Sequence, residues 1–72
     1  MMNVDIRSFI VNNFKDDSSD SIRDSIDKVV SSRDEEPLIG LGVLLEMLWN
    51  QSSIEEKMDI AKRIRQGISS YS

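Results

Sequence analysis

Apolar positions recur along the chain with the roughly 3.6-residue period of an α-helix, in four groups separated by polar stretches. In residues 3–14, Ile6, Phe9, Ile10 and Phe14 fall at i, i+3, i+4 and i+8 and share one face. Asn3 is positioned to cap this helix, and Asp5 sits in its first turn, where the helix dipole favours an acid. Residues 15–19 are polar, and Ser18 or Ser19 can start a second helix over 20–31. Ile22, Ile26, Val29 and Val30 give that helix its apolar side, at i, i+4, i+7 and i+8.

The third group is denser. Residues 38–49 are apolar almost without interruption. Pro37 biases Glu36 away from helical angles, so the charged stretch before it reads as a solvated loop. Gly40 and Gly42 are each unfavourable inside a helix by about 1 kcal/mol relative to alanine. A turn at Gly40 is therefore expected to launch a helix over 41–50, with Gly42 leaving room for another helix to come close. Leu41, Leu44, Leu45, Leu48 and Trp49 form its broad apolar stripe, and Val43 and Met47 project from another side. A fourth helix is expected over 54–66. Ser53 and Glu56 have the spacing of a reciprocal cap, and Gly67 stands where a helix stops. Its inward face is Ile54, Met58, Ala61, Ile64 and Ile68, with Ile60 at the edge and residues 69–72 fraying.

The pattern predicts an all-α fold: a compact bundle of four short helices around a central apolar one, in a single domain over 1–72. Length sharpens this. A chain of 72 residues buries only roughly 60% of its unfolded surface. With no cysteine to staple it, helix packing or self-association must supply the stability. The apolar run of residues 38–49 is well short of the roughly 20 residues that cross a bilayer. Asp5 and Arg7 break the apolar pattern a secretion signal would need, so a soluble intracellular protein with no membrane partner is expected.

Charge and residue types remove most chemistry. Nine basic against 13 acidic residues leave a net charge of −4, which opposes binding nucleic acid through a general basic surface. Lys57, Lys62, Arg63 and Arg65 cluster late in the chain, but Glu55 and Asp59 share their helix and no aromatic residues interleave with them. The chain has no histidine, so the commonest general base and metal ligand is missing. Neither Asp16, Asp17 and Asp20 nor Asp34, Glu35 and Glu36 has a calcium-loop spacing. Gly40-Leu41-Gly42 lacks the third glycine and the preceding strand of a dinucleotide fingerprint. No enzyme activity, cofactor, metal or small-molecule substrate is expected.

The central stretch also carries a likeness. Leu38-Ile39-Gly40-Leu41-Gly42-Val43-Leu44-Leu45-Glu46-Met47-Leu48-Trp49 resembles the Leu-Pro-Gly-Leu-Gly-Val-Leu-Phe-Glu-x-x-Trp signature of the small, acid-soluble spore protein I family. Asn3-Val-Asp-Ile-Arg7, Ser25-Ile26-Asp27, Glu55-Glu56-Lys57 and Gln66-Gly67 are similar to its other segments, so the likeness covers nearly the whole chain. Ile39 replaces a proline and Leu45 a phenylalanine, and Pro37 comes early, as in a divergent member. The resemblance implies a small protein made during sporulation in endospore-forming bacteria and held in the spore core. It assigns no functional residues. The chain has none of the motif of the DNA-coating spore proteins of the α/β type.

What remains is an apolar surface larger than 72 residues easily cover. The expected function is self-association or binding of a protein partner; the alternative is a DNA-associated spore protein contributing to DNA protection. The candidate interaction surface is Gly40, Gly42, Val43, Met47 and Trp49. Val43 and Met47 enter it because they lie off the main stripe. Trp49 is open to two roles: anchor of the core, or anchor of an interface.

Overall fold

The structure is a computed structural model that describes residues 5–71. It is all-α, with four helices: α1 (Ile6–Phe14), α2 (Ser19–Ser32), α3 (Leu38–Asn50) and α4 (Ile54–Ser70). The four-helix reading stands, and several helix ends move for physical reasons.

Helix α1 is capped by Asp5, whose side chain accepts from the Ser8 amide at 3.1 Å and from the Ser8 hydroxyl at 2.8 Å. The expected cap, Asn3, lies outside the described residues. Ser18 caps α2 by accepting from the Ser21 amide. Helix α2 ends on Arg33 in the left-handed conformation, at φ 61°. Ser32 steadies this corner: its hydroxyl donates to the Val29 carbonyl and accepts from the Asp34 amide. The sharp turn is thus at Arg33 and not at Gly40.

Helix α3 begins at Leu38, directly after Pro37, instead of at residue 41. The proline ring already holds φ near helical values, and the Pro37 carbonyl accepts from the Leu41 amide at 3.0 Å. Gly40 and Gly42 are therefore interior helical residues, neither with positive φ. Helix α4 starts at the expected capping box, with Ser53 and Glu56 bonding each other's backbone amides. It runs straight through Gly67 to Ser70, where the Ser70 hydroxyl donates to the Gln66 carbonyl. Glycine adopts helical angles at a cost of about 1 kcal/mol relative to alanine, too little to end a helix by itself.

The helices pack openly. Helices α1 and α3 are the one pair in substantial contact. The radius of gyration is 13.9 Å, against about 11 Å for a tightly packed chain of this length. Accessible surface tells the same story: 6606 Å², whereas a folded monomer of 8.2 kDa exposes about 4,500 Å². Among the described residues only Val43 counts as buried, at 9% exposure.

Candidate interaction surface

Helix α3 meets α1 through its small side. Gly40 lets the Ile10 side chain in: a Cβ placed there would meet Ile10 Cδ1 at 3.3 Å. Val43 is buried one turn on, and Met47 is half-buried. A bidentate, solvent-exposed ion pair bridges the two helices. Arg7 Nε donates to Glu46 Oε1, and Arg7 Nη2 donates to Oε2 at 2.8 Å. This pair pulls the Glu46 carboxyl below its ordinary value, chiefly through the side-chain hydrogen bond, and raises the Arg7 guanidinium for the same reason. Glu46 is the only charged residue of α3.

Because that side faces inward, the leucine–tryptophan stripe largely faces out. This corrects the sequence reading, which placed it in the core. Leu41 and Leu44 are half-buried, but Leu45, Leu48 and Trp49 are exposed, Trp49 at 37%. The earlier start of α3 adds Leu38 to the outward side. Leu38, Gly42, Leu45 and Trp49 follow at intervals of four, three and four, within an arc of about 60° on the helix. Gly42 lies at the middle of this stripe and a Cβ there would meet nothing within 4 Å.

Of the candidate residues, then, Gly42 and Trp49 lie on the outward stripe. Gly40 and Val43 lie in the α1–α3 seam, where Val43 is covered by the chain itself, contrary to the exposure expected for it. Met47 stands beside them. Leu38, Leu45 and Leu48 were missed as surface residues. For Leu38 and Leu45 the signal was the four–three–four spacing, which marks a seam between helices without saying whether the second helix belongs to the same chain.

Helix α4 extends the apolar surface. Its stripe was expected inside, yet Ile54 is 85% exposed, and Met58, Ile64 and Ile68 are exposed too. The helix touches α3 near its start, where Lys57 Nζ lies 5.6 Å from the centroid of the Trp49 ring. Close to that point, the backbone hydrogen bond from Ser53 is the main cause holding the Glu56 carboxyl below its ordinary value. Asp5 is lowered likewise, first by its hydrogen bond from the Ser8 side chain. On the other side of α3, an open apolar groove of about 480 Å³ lies among α1, α2 and α3, lined by Phe9, Phe14, Ile26 and Leu44 among others.

Among the described residues no three acidic side chains gather where a metal ion could sit, and no helix is long and apolar enough to cross a membrane. The basic cluster is partly engaged within the chain: Arg63 pairs with Asp59 of the same helix at 3.1 Å, and Lys57 lies over Trp49 of α3.

Comparison with known proteins gives one family. Residues 4–68 match the family described as small, acid-soluble spore protein I. The protein of that name from Bacillus cytotoxicus is 30% identical over 67 residues, covering 93% of this chain and 96% of its own. That from Bacillus velezensis is 31% identical over 67 residues, covering 93% and 94%. No solved structure matches.

Proposed function

We propose, on the premise that this chain belongs to the small, acid-soluble spore protein I family, that it is a non-enzymatic protein of the spore core, produced during sporulation, that acts by associating with itself or with a protein partner. The family supports a spore role. The area supports association: the chain exposes about 2,000 Å² more than a folded monomer of its mass. A standard interface takes roughly 800 Å² from each partner. Large apolar side chains are exposed along α3 and α4, among them Leu38, Leu45, Leu48, Trp49, Ile54 and Met58. Exposed apolar patches of such extent on small proteins mark interaction sites.

Sedimentation equilibrium of the purified protein tests this directly. Its apparent mass is expected to rise above 8.2 kDa as concentration goes from roughly 1 µM to roughly 1 mM. A single species of monomer mass throughout would remove self-association and leave only a different protein as partner. The DNA-associated alternative rests on the Lys57–Arg65 cluster, of which two members are engaged within the chain. A gel shift at low salt, where a phosphate-driven complex is strongest, is expected to show no binding.

A further inference from the structure

The outward stripe of α3 has the features of a helix seam that matches itself. Its four–three–four spacing is that of two helices packed side by side. It holds one position without a side chain, Gly42, between large ones, and a Cβ there would meet nothing of the same chain within 4 Å. Its own residues carry no charge, since Glu46, the helix's one charged residue, lies off the stripe and is tied to Arg7; the Lys57 ammonium of α4, 5.6 Å from the Trp49 ring centroid, borders its C-terminal end. The whole chain's exposed area in excess of a compact monomer's is about two and a half times what a standard dimer takes from each partner.

We infer that two copies of this chain pair antiparallel through the outward faces of α3, with Gly42 of each copy beside the crossing point. The inference rests on the self-association reading above and gives it a geometry. A two-fold axis level with Val43 and Leu44 sets Gly42 of each copy against Leu45 of the other. The same axis sets Leu38 of each against Trp49 of the other. Leu45 of each copy then enters the space the other copy's Gly42 leaves, as a knob enters a hole. The missing Cβ lets the backbones come close. Both copies carry a net charge of −4, so their repulsion weakens as salt screens it and pairing tightens. A nucleic-acid complex would respond in the opposite direction.

The test uses the full chain, followed by sedimentation and by the emission of Trp49, its only tryptophan. The native protein is expected to associate with rising concentration, with emission shifting to shorter wavelength in step, and to do so more tightly at higher salt. Gly42→Leu is expected to weaken association about tenfold or more. That variant should still fold, because the monomer leaves the site open and leucine is the better helix former; circular dichroism at low concentration checks it. Gly67→Leu, an equally open helical glycine of α4, should associate as the native chain does. Adding Leu45→Ala to Gly42→Leu should restore pairing, because residues 42 and 45 face each other only in the antiparallel arrangement.

Strictly monomeric native protein would sink both the inference and the self-association reading, as it would if α4 of the same chain closed over the stripe. Association that ignores Gly42→Leu, or that leaves Trp49 emission unchanged, would overturn the α3 seam alone. Loss on Gly42→Leu without rescue by Leu45→Ala would overturn the antiparallel arrangement.

Discussion

Gly40 and Gly42 sit two residues apart on one helix and meet opposite surroundings. A side chain at Gly40 would press on Ile10; one at Gly42 would point into open space. The first glycine lies in a seam that the chain closes by itself, with Val43 buried beside it and Arg7 gripping Glu46. The second lies on a face rich in leucine and tryptophan that the chain only half covers, with Leu45 43% and Trp49 37% exposed. The same residue type thus supports the fold on one side of α3 and stands ready for a contact on the other. Hydrophobicity alone does not decide which side of a helix a small protein buries. Here the less apolar side is inside, where Gly40 lets α1 come close and an exposed ion pair bridges the two helices.

The contrast can be broken most strongly at the buried position. Val43→Asp should destabilise the monomer by about 3–5 kcal/mol, since it leaves a charge buried without a partner. That is enough to unfold a chain of marginal stability, and urea titration followed by circular dichroism would show it. Leu45→Asp, on the outward face, should shift the same titration by no more than about 0.5 kcal/mol while removing association. If the two variants unfold alike, the two faces are not different in kind.

Trp49→Ala separates the faces more finely. In the monomer it removes a half-covered ring and its contact with Lys57, an interaction worth about 0.5–1 kcal/mol at exposed sites. At an interface the same truncation should cost about 2 kcal/mol or more of pairing energy, read by sedimentation. A loss of about 3–5 kcal/mol in the dilute monomer would instead make Trp49 a core residue.

The glycines themselves give a smaller difference. Gly42→Ala should raise monomer stability by up to about 1 kcal/mol through helix propensity. Gly40→Ala gains the same propensity but must displace Ile10 Cδ1, so its net change in melting temperature should be smaller. The smallest effect is acid. The carboxyls of Asp5, Glu46 and Glu56 all lie below their ordinary values of 3.8 and 4.5. Groups lowered in the folded state stabilise it above their unfolded values and lose that contribution as pH falls through the folded ones. Melting temperature should therefore be flat at neutral pH and begin to fall below about pH 4.5, with Glu46→Gln losing part of that acid dependence.

Much of the fold was legible in the chain. The four helices follow from periodicity, and the Ser53–Glu56 cap from two residues at the right spacing. The spore family was legible from the Gly-Leu-Gly-Val-Leu stretch. The start of α3 was not, because an isolated glycine reads as a breaker and only the fit of Gly40 to Ile10 gives it a helical role. Nor was the Arg33 corner, where a residue with a Cβ adopts positive φ. The contact of α1 with α3 was not legible either: Arg7 and Glu46 are 39 positions apart and have no local pattern to link them. Of the five residues singled out on α3, Gly42 and Trp49 lie on its exposed side. Val43 was put on the wrong side, because an apolar stripe carries no mark of which chain is to cover it.

The capping box of α4 has a consequence for the order of events. Ser53 and Glu56 satisfy each other's backbone, Arg63 holds Asp59 one turn on, and few contacts of this helix reach the rest of the chain. Such a helix has little to wait for. Chains dominated by near-neighbour contacts fold in microseconds to milliseconds. Each chain should then have its shape before it meets another, and assembly would be a collision of finished parts whose pace is set by concentration.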